Sequence, residues 1–201
     1  GWGTSFEDFD NDGDLDLFVA NGHAYQVVDE VDIGMTYAQP NLLFLNLEGR
    51  DFAEVGERAF SGAGAVRVSR GAAFGDVDDD GDIDVLVQNI DDVPSLLLNQ
   101  TGNRGHWLQV SLRGVRSNRD GIGARLRLVA GGKAQVRELS AGTSFLSCGD
   151  LRIHFGLGRA TRVDTLTVRW PSGIEQHFTG LDGNGRLLID EEQGILPSPR
   201  I

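Results

Sequence analysis

The sequence predicts an all-β chain built in two unlike parts. Three observations carry that expectation: short apolar runs recur between turn residues with no helical window of useful length, an Asp-rich motif occurs twice, and charge divides along the chain. Residues 1–103 hold 21 Asp and Glu against 4 Arg, a formal −17, while residues 104–201 hold 9 acids against 14 Lys and Arg, a formal +5. Together they make the net −12 of the 201 residues. A composition 40% hydrophobic and 24% charged is that of a folded chain, which excludes collagen-like, coiled-coil and disordered states. The apolar runs Asn41–Asn46 and Pro94–Asn99 fall far short of the ~18–20 residues of a membrane span. The negative charge argues against whole-chain attraction to nucleic acid or anionic lipid, and a single cysteine, Cys148, excludes an intrachain disulfide.

A repeat organises the acidic part. Phe6–Asn21 and Phe74–Asn89 match at an offset of 68, with nine of sixteen positions identical, including every Asp of the frame. Each copy is followed by a proline and an apolar run ending in Asn: Pro40 to Asn46, then Pro94 to Asn99. The first copy is longer by an insertion of 15 residues within Gly22 to Gln39, and an insertion of that length is expected on the surface, facing a partner.

Within each copy the spacing is that of a calcium loop, Asp-x-Asp-x-Asp-Gly-x-x-Asp. Asp8, Asp10, Asp12, Asp14 and Asp16 occupy positions 1, 3, 5, 7 and 9 of the first, with Gly13 at position 6. Asp76, Asp78, Asp80, Asp82 and Asp84, with Gly81, repeat the frame. Calcium takes six to eight hard oxygen ligands, and a tight loop reaches that number with alternate side chains and a backbone carbonyl. Glycine at the sharpest bend supplies a backbone conformation that a Cβ penalises. Without a cation the carboxylates repel one another; two Ca²⁺ ions would bring the net charge from −12 to −8. An EF-hand is excluded because position 12 holds Val19 and Val87 and the following residues are β-branched and apolar. They predict buried strands closed by Asn21 and Asn89, with Leu15 and Ile83 plugging the loops into the core.

These residues carry a resemblance. Phe74-Gly75, the Asp frame and the strand after it resemble FG-GAP or VCBS repeats, the calcium-binding blades of integrin-like β-propellers. The resemblance implies a partial β-propeller of about two FG-GAP blades over residues 1–103, each with an inner strand, the loop, a second strand (Ile83–Asn89), a third (Ser95–Asn99) and an outer one such as Phe52–Val55. Propellers close with about 4–8 blades. The chain begins at Gly1, almost inside a motif, so it is expected to be the C-terminal part of a longer protein, with the remaining blades as partners.

The basic part resembles a second family. His106–Leu112, Ser117–Arg125, Gln135–Leu139, Leu151–Gly158 and Val163–Gly173 are similar to the ASPIC/UnbV domain, which follows FG-GAP repeats in the cartilage acidic protein family. Residues 104–192 are assigned to this domain and 193–201 to a C-terminal tail. The residues themselves indicate a β-sandwich, with short alternating runs divided by Gly131-Gly132, Pro171-Ser-Gly173 and Asp182-Gly183. Arg125, Arg127, Arg152 and His154 alternate with apolar residues and are expected on one polar face. That face serves solubility, binds a polyanion, or docks on the acidic half of the same chain. Ser117 to Arg125 reads as a tight turn using Gly121 and Gly123, with Asp120 pairing to Arg119 or Arg116.

Catalysis finds little support. His23, His106, His154 and His177 have no zinc spacing, Cys148 has no evident His partner, and no nucleophile-elbow or phosphate-loop motif occurs. The expected function is a non-enzymatic, calcium-binding adhesion or scaffold module outside the cytoplasm (extracellular, cell-surface or periplasmic) that binds a protein or glycan. The alternatives are a basic domain for an anionic polymer, with Trp107, Trp170 and Phe145 for stacking, or an accessory region of a larger enzyme. Nucleic acid is not expected as a partner. Asn99-Gln-Thr101 is a glycosylation pattern.

Overall fold

The computed structural model describes residues 1–31, 33–59, 66–100 and 105–197. In chain order the acidic part forms β1 (Thr4–Glu7), β2 (Asp16–Val19), β3 (Gln39–Pro40), β4 (Leu42–Leu47), β5 (Asp51–Glu54), β6 (Val66–Arg67), β7 (Ser69–Gly75), β8 (Asp84–Asn89) and β9 (Ser95–Leu97). These build two antiparallel meanders, β1-β2-β4-β5 and β7-β8-β9, with β3 and β6 as a two-residue ribbon. The repeat is visible in the register: Phe6 pairs with Leu17 and Glu7 with Asp16, as Phe74 pairs with Val85 and Gly75 with Asp84. Each acidic loop thus joins the first two strands of its sheet.

The two meanders bury one face against each other. Phe9, Phe18, Ala20 and Leu43 pack on Ala72, Phe74, Ile83, Val85 and Val87, with the Phe18 and Phe74 rings edge to face at 5.7 Å. Face-to-face packing of this kind is what the resemblance to propeller blades implies. Ile83 enters the core as expected, whereas Leu15 stays half-buried and Phe9, at position 2 of the first loop, takes the core place instead. The insertion lies on the surface, with Tyr25, Val27, Ile33 and Met35 exposed around a buried Val28.

The basic part forms β10 (His106–Arg113), β11 (Arg125–Ala130), β12 (Lys133–Glu138), β13 (Ile153–Gly158), β14 (Arg162–Arg169), β15 (Glu175–Asp182), β16 (Gly185–Asp190) and β17 (Gly194–Leu196). Two four-stranded sheets, β13-β10-β16-β17 and β12-β11-β14-β15, enclose a separate core that includes Leu108, Val110, Leu126, Leu128, Phe155, Leu166 and Trp170. The β-sandwich is therefore as expected, and so is the all-β class. No helix among the described residues is long and apolar enough to cross a membrane.

Further expectations need correction. Residues 194–196 of the assigned tail are β17, which pairs with β16, so the sandwich runs to Leu196; residues 198–201, and the boundary at 103/104, lie outside the described residues. Arg125 and Arg127 do not share a face with Arg152 and His154. The first two stand exposed on β11, in the sheet opposite β13, whereas Arg152 and His154 face the acidic loops. The β13 run Ile153–Leu157 is buried at every position because both of its faces are covered, one by the core and one by the first loop. The Asn99 side-chain amide, the atom a glycan would need, donates to Phe9 O at 2.7 Å and ties the second sheet to the first loop; Thr101 of the same pattern lies outside the described residues.

The Ser117–Arg125 segment is a turn, with Gly121 and Gly123 at φ of 71° and 89° and both amide atoms of Asn118 bonded to Ile122. Its anchor is Glu191, 1% exposed, rather than Asp120. Glu191 Oε2 accepts the backbone N–H groups of Val115, Arg116 and Ser117 at 2.7, 2.6 and 2.8 Å, and Oε1 accepts the Ser117 and Ser172 hydroxyls at 2.7 and 2.5 Å. Burial alone would raise this carboxyl, but the donors outweigh it and hold it at about 2.

Candidate metal centres

Both acidic loops bring positions 1, 3 and 9 of the frame together. Carboxylate oxygens of Asp8, Asp10 and Asp16 lie within 4.8 Å of one another, and so do those of Asp76, Asp78 and Asp84. The scaffolding bonds are duplicated. The position-1 carboxylate accepts the N–H of the position-6 glycine, Gly13 to Asp8 at 2.8 Å and Gly81 to Asp76 at 3.0 Å. At position 9 the carboxylate accepts the position-2 N–H, Phe9 to Asp16 and Val77 to Asp84, each at 2.9 Å. Its other oxygen accepts the N–H of the Asn ending the apolar run, Asn46 to Asp16 and Asn99 to Asp84, each at 2.8 Å. That explains why each copy carries its Asn: it steers the last carboxylate of the loop.

The remaining Asp residues of the frame play other parts. Asp12 and Asp80 at position 5 accept the N–H of Asp14 and Asp82 at 2.7 and 2.9 Å, closing the turn. At position 7 the side chains turn away from the trio, Asp14 to Lys133 Nζ at 2.8 Å and the buried Asp82 to Asn11 Nδ2 at 3.0 Å. Gly13 and Gly81 adopt φ of 91° and 95°, as the frame requires. They are also contact points: a Cβ on Gly81 would lie 2.0 Å from the Trp107 ring, and one on Gly13 would lie 2.9 Å from Gln135 Nε2.

Both trios offer carboxylate oxygens alone, a hard donor set suited to calcium, magnesium or manganese. Asp8 is 3% exposed, and its Oδ1 is buried with no hydrogen-bond partner among the described residues. Burial, then the neighbouring Asp12, Asp10 and Asp16, pushes the Asp8 carboxyl up to about 7; burial, with Asp10 and Asp12, does the same for Asp16. Asp84 is raised by burial and by Asp78 and Asp80. Buried acidic clusters of this kind can hold a metal ion, whose charge would offset the desolvation and repulsion.

The sandwich closes over both loops, a feature that only the docking alternative of the sequence reading approached. Position 4 is the meeting point. Asn11 and Asp79 occupy it with φ of 59° and 65°, a left-handed conformation that Asn and Asp tolerate best among residues bearing a Cβ. Asn11 Nδ2 donates to Gly81 O and Asp82 Oδ1, at 3.3 and 3.0 Å, which turns its oxygen toward His154 Nε2 at 2.6 Å. His154 therefore donates from Nε2; burial first, then Arg137, lowers it to about 4, so the ring is neutral. Asp79 accepts Arg152 Nη1 at 2.8 Å and pairs with Arg186 Nη2 at 2.7 Å, and these guanidiniums hold its carboxyl low. Gly156 N–H reaches Asp8 Oδ2 at 3.1 Å, Gln109 Nε2 reaches Asp76 Oδ2 at 2.8 Å, and Lys133 reaches Asp12 O at 3.1 Å. Of the aromatics considered for stacking, Trp170 is buried in the sandwich core, Phe145 packs against Trp2, and Trp107 covers Gly81. Asn11, Asp79 and Glu191 escaped the sequence reading; a polar residue able to adopt φ > 0 at position 4 is the signal available for the first two.

Two family models match the chain, the FG-GAP-like repeat over residues 8–87 and ASPIC and UnbV over residues 114–196. Comparison with curated proteins finds no match. The first match contains both acidic trios and the second most of the sandwich that covers them, so the chain is an FG-GAP-like repeat region joined to an ASPIC/UnbV domain.

Proposed function

We propose that the chain is a calcium-binding, non-enzymatic interaction module that works outside the cytoplasm, at a cell surface, in the extracellular space or in a periplasm. The observation that carries this reading is the Asp8, Asp10 and Asp16 trio, with Asp8 Oδ1 buried and unpartnered among the described residues. An all-oxygen carboxylate loop suits calcium, and weak loops of this type fill where calcium is millimolar. The ion would brace the turn between the first two strands of each blade. Protein or glycan ligands would meet the exposed insertion around Tyr25 and Met35, while the outward apolar residues Leu86, Leu96 and Leu98 suit a further blade. The anionic-polymer alternative is weakened because Arg152 and Arg186 are engaged with the chain's own Asp79.

Calorimetric titration with Ca²⁺, alongside melting with and without chelator, tests the reading. The expected result is a heat of binding and a higher melting temperature with Ca²⁺. No heat and an unchanged melt would overturn it.

A further inference from the structure

We infer that the two loops take cations unequally: Asp8–Asp16 fills first, and Asp76–Asp84 fills only at higher concentration because the sandwich already supplies it with guanidinium charge. The inference rests on the calcium reading and concerns how the sites are regulated. Within the loops the trio and the bonds of the position-2 and position-6 N–H groups are alike, while the position-5 N–H goes to Asp10 Oδ1 in the first and to Asp76 Oδ1 in the second; the difference in charge comes from what faces them.

The first loop meets neutral donors at its ligand carboxylates. Asp8 Oδ2 accepts the N–H groups of Gly13 and Gly156, and Asp8 Oδ1 is buried without a partner among the described residues. Lys133 pairs with Asp14, which lies outside the trio, and donates to Asp12 O at 3.1 Å; it acts on Asp10, and Arg137 on Asp8, only through space, with no ion pair to a trio carboxylate among the described residues. In the second loop Asp76 Oδ2 accepts Gly81 N–H, Gln109 Nε2 at 2.8 Å and Arg186 Nη2 at 3.4 Å, while Oδ1 accepts Asp80 N–H at 3.0 Å. Arg152 Nη2 donates to Asp76 O at 2.5 Å, and both guanidiniums converge on Asp79 beside the trio.

A fixed cation on a ligand carboxylate neutralises part of the charge an incoming ion would use, and repels that ion. Arg152 and Arg186, bonded to Asp76 itself, therefore compete with a cation for the second loop more directly than Lys133 and Arg137 do for the first. Linkage makes the effect reciprocal: a cation in the second loop weakens the grip of Arg186 on Asp76 by the same factor. Filling the first loop would brace the blade, whereas filling the second would also loosen the sandwich.

Ca²⁺ titration calorimetry on the full chain, with Asp10→Asn, Asp78→Asn and the double variant Arg152→Gln/Arg186→Gln, tests the inference. Two phases separated by roughly tenfold or more in affinity are expected. Asp10→Asn should remove the tight phase and Asp78→Asn the weak one. The arginine variant should tighten the weak phase about tenfold and leave the tight phase in place. Two sites of equal affinity, or loss of the weak phase in Asp10→Asn, would overturn the inference. Absence of any binding heat in the unaltered chain would instead overturn the calcium reading beneath it.

Discussion

Replacing Glu191 by Gln isolates the worth of one buried carboxylate. The side chain fits the same space, but an NH₂ group replaces one oxygen and faces N–H or O–H donors that have no other acceptor in the cage. The carboxyl sits at about 2 against 4.5 for a free Glu, and a difference of that size corresponds to about 3 kcal/mol of stability at neutral pH, or about 2 kcal/mol after screening. The sign follows from the folded value lying below the unfolded one. The stabilisation is complete above the unfolded pKa of 4.5 and is lost as pH falls from there toward 2. The Asp8 and Asp16 carboxyls slope the other way between pH 4 and 7, but they are common to both proteins and cancel in the difference. Urea unfolding followed by fluorescence, with Trp170 buried in the sandwich core, should give a gap of about 2–3 kcal/mol at pH 7 that falls by about half at pH 3 and closes as pH approaches 2 and below. A gap under about 1 kcal/mol at pH 7, or one unchanged between pH 7 and 3, would refute the cage as the reason the turn holds.

Gly81→Ala places a methyl against the Trp107 ring at φ 95°, and should cost about 2–4 kcal/mol in a chemical melt, whereas Gly132→Ala, also at positive φ but with nothing within 4 Å, should cost about 1 kcal/mol. Asn11→Ala removes the bonds to Gly81 O, Asp82 and His154, and should split one calorimetric unfolding transition into two as the lobes uncouple. Cation binding at the first loop must displace protons from carboxyls near 7; affinity should fall about tenfold or more between pH 7 and 6, with proton release seen as buffer-dependent heat. In the metal-free protein the same raised values make these carboxyls stabilising at low pH, a contribution lost as pH rises through 7, so chelation should lower the melting temperature more at pH 8 than at pH 6.

Much of the first sheet pair was legible because its signals are local. The Asp frame fixes ligand spacing, Gly13 and Gly81 mark the bend, and the period of two in Asp84–Asn89 marks a strand with Val85 and Val87 inward. The sandwich was legible as a class but not as a pairing: β10 lies parallel to β16 with Leu108 opposite Gly185, a partner no local pattern announces. Arg152 and Arg127 look alike in sequence because each alternates with apolar neighbours. Only the sheet order, which puts β13 and β11 in different layers, separates a docking residue from an exposed one. Glu191 was hidden for a similar reason, since its five donors lie about 75 residues upstream or on the Ser172 turn.

The loop frame itself explains why the sandwich meets the blades where it does. Positions 1, 3 and 9 must point inward to gather oxygens, and position 2 is turned back into the scaffold through the Phe9 and Val77 N–H groups. Position 4, at the tip, is left free of any ligand duty, and its left-handed backbone carries the side chain out toward a second surface. An Asn there in one loop and an Asp in the other give the two tips different chemistry within one geometry. Asn11 joins the loops to each other and to a neutral His154, while Asp79 gathers Arg152 and Arg186. A domain docked on those tips is therefore coupled to whatever fills the loops, because the residue that holds the domain and the residues that would hold the ion share one short, tightly hydrogen-bonded turn.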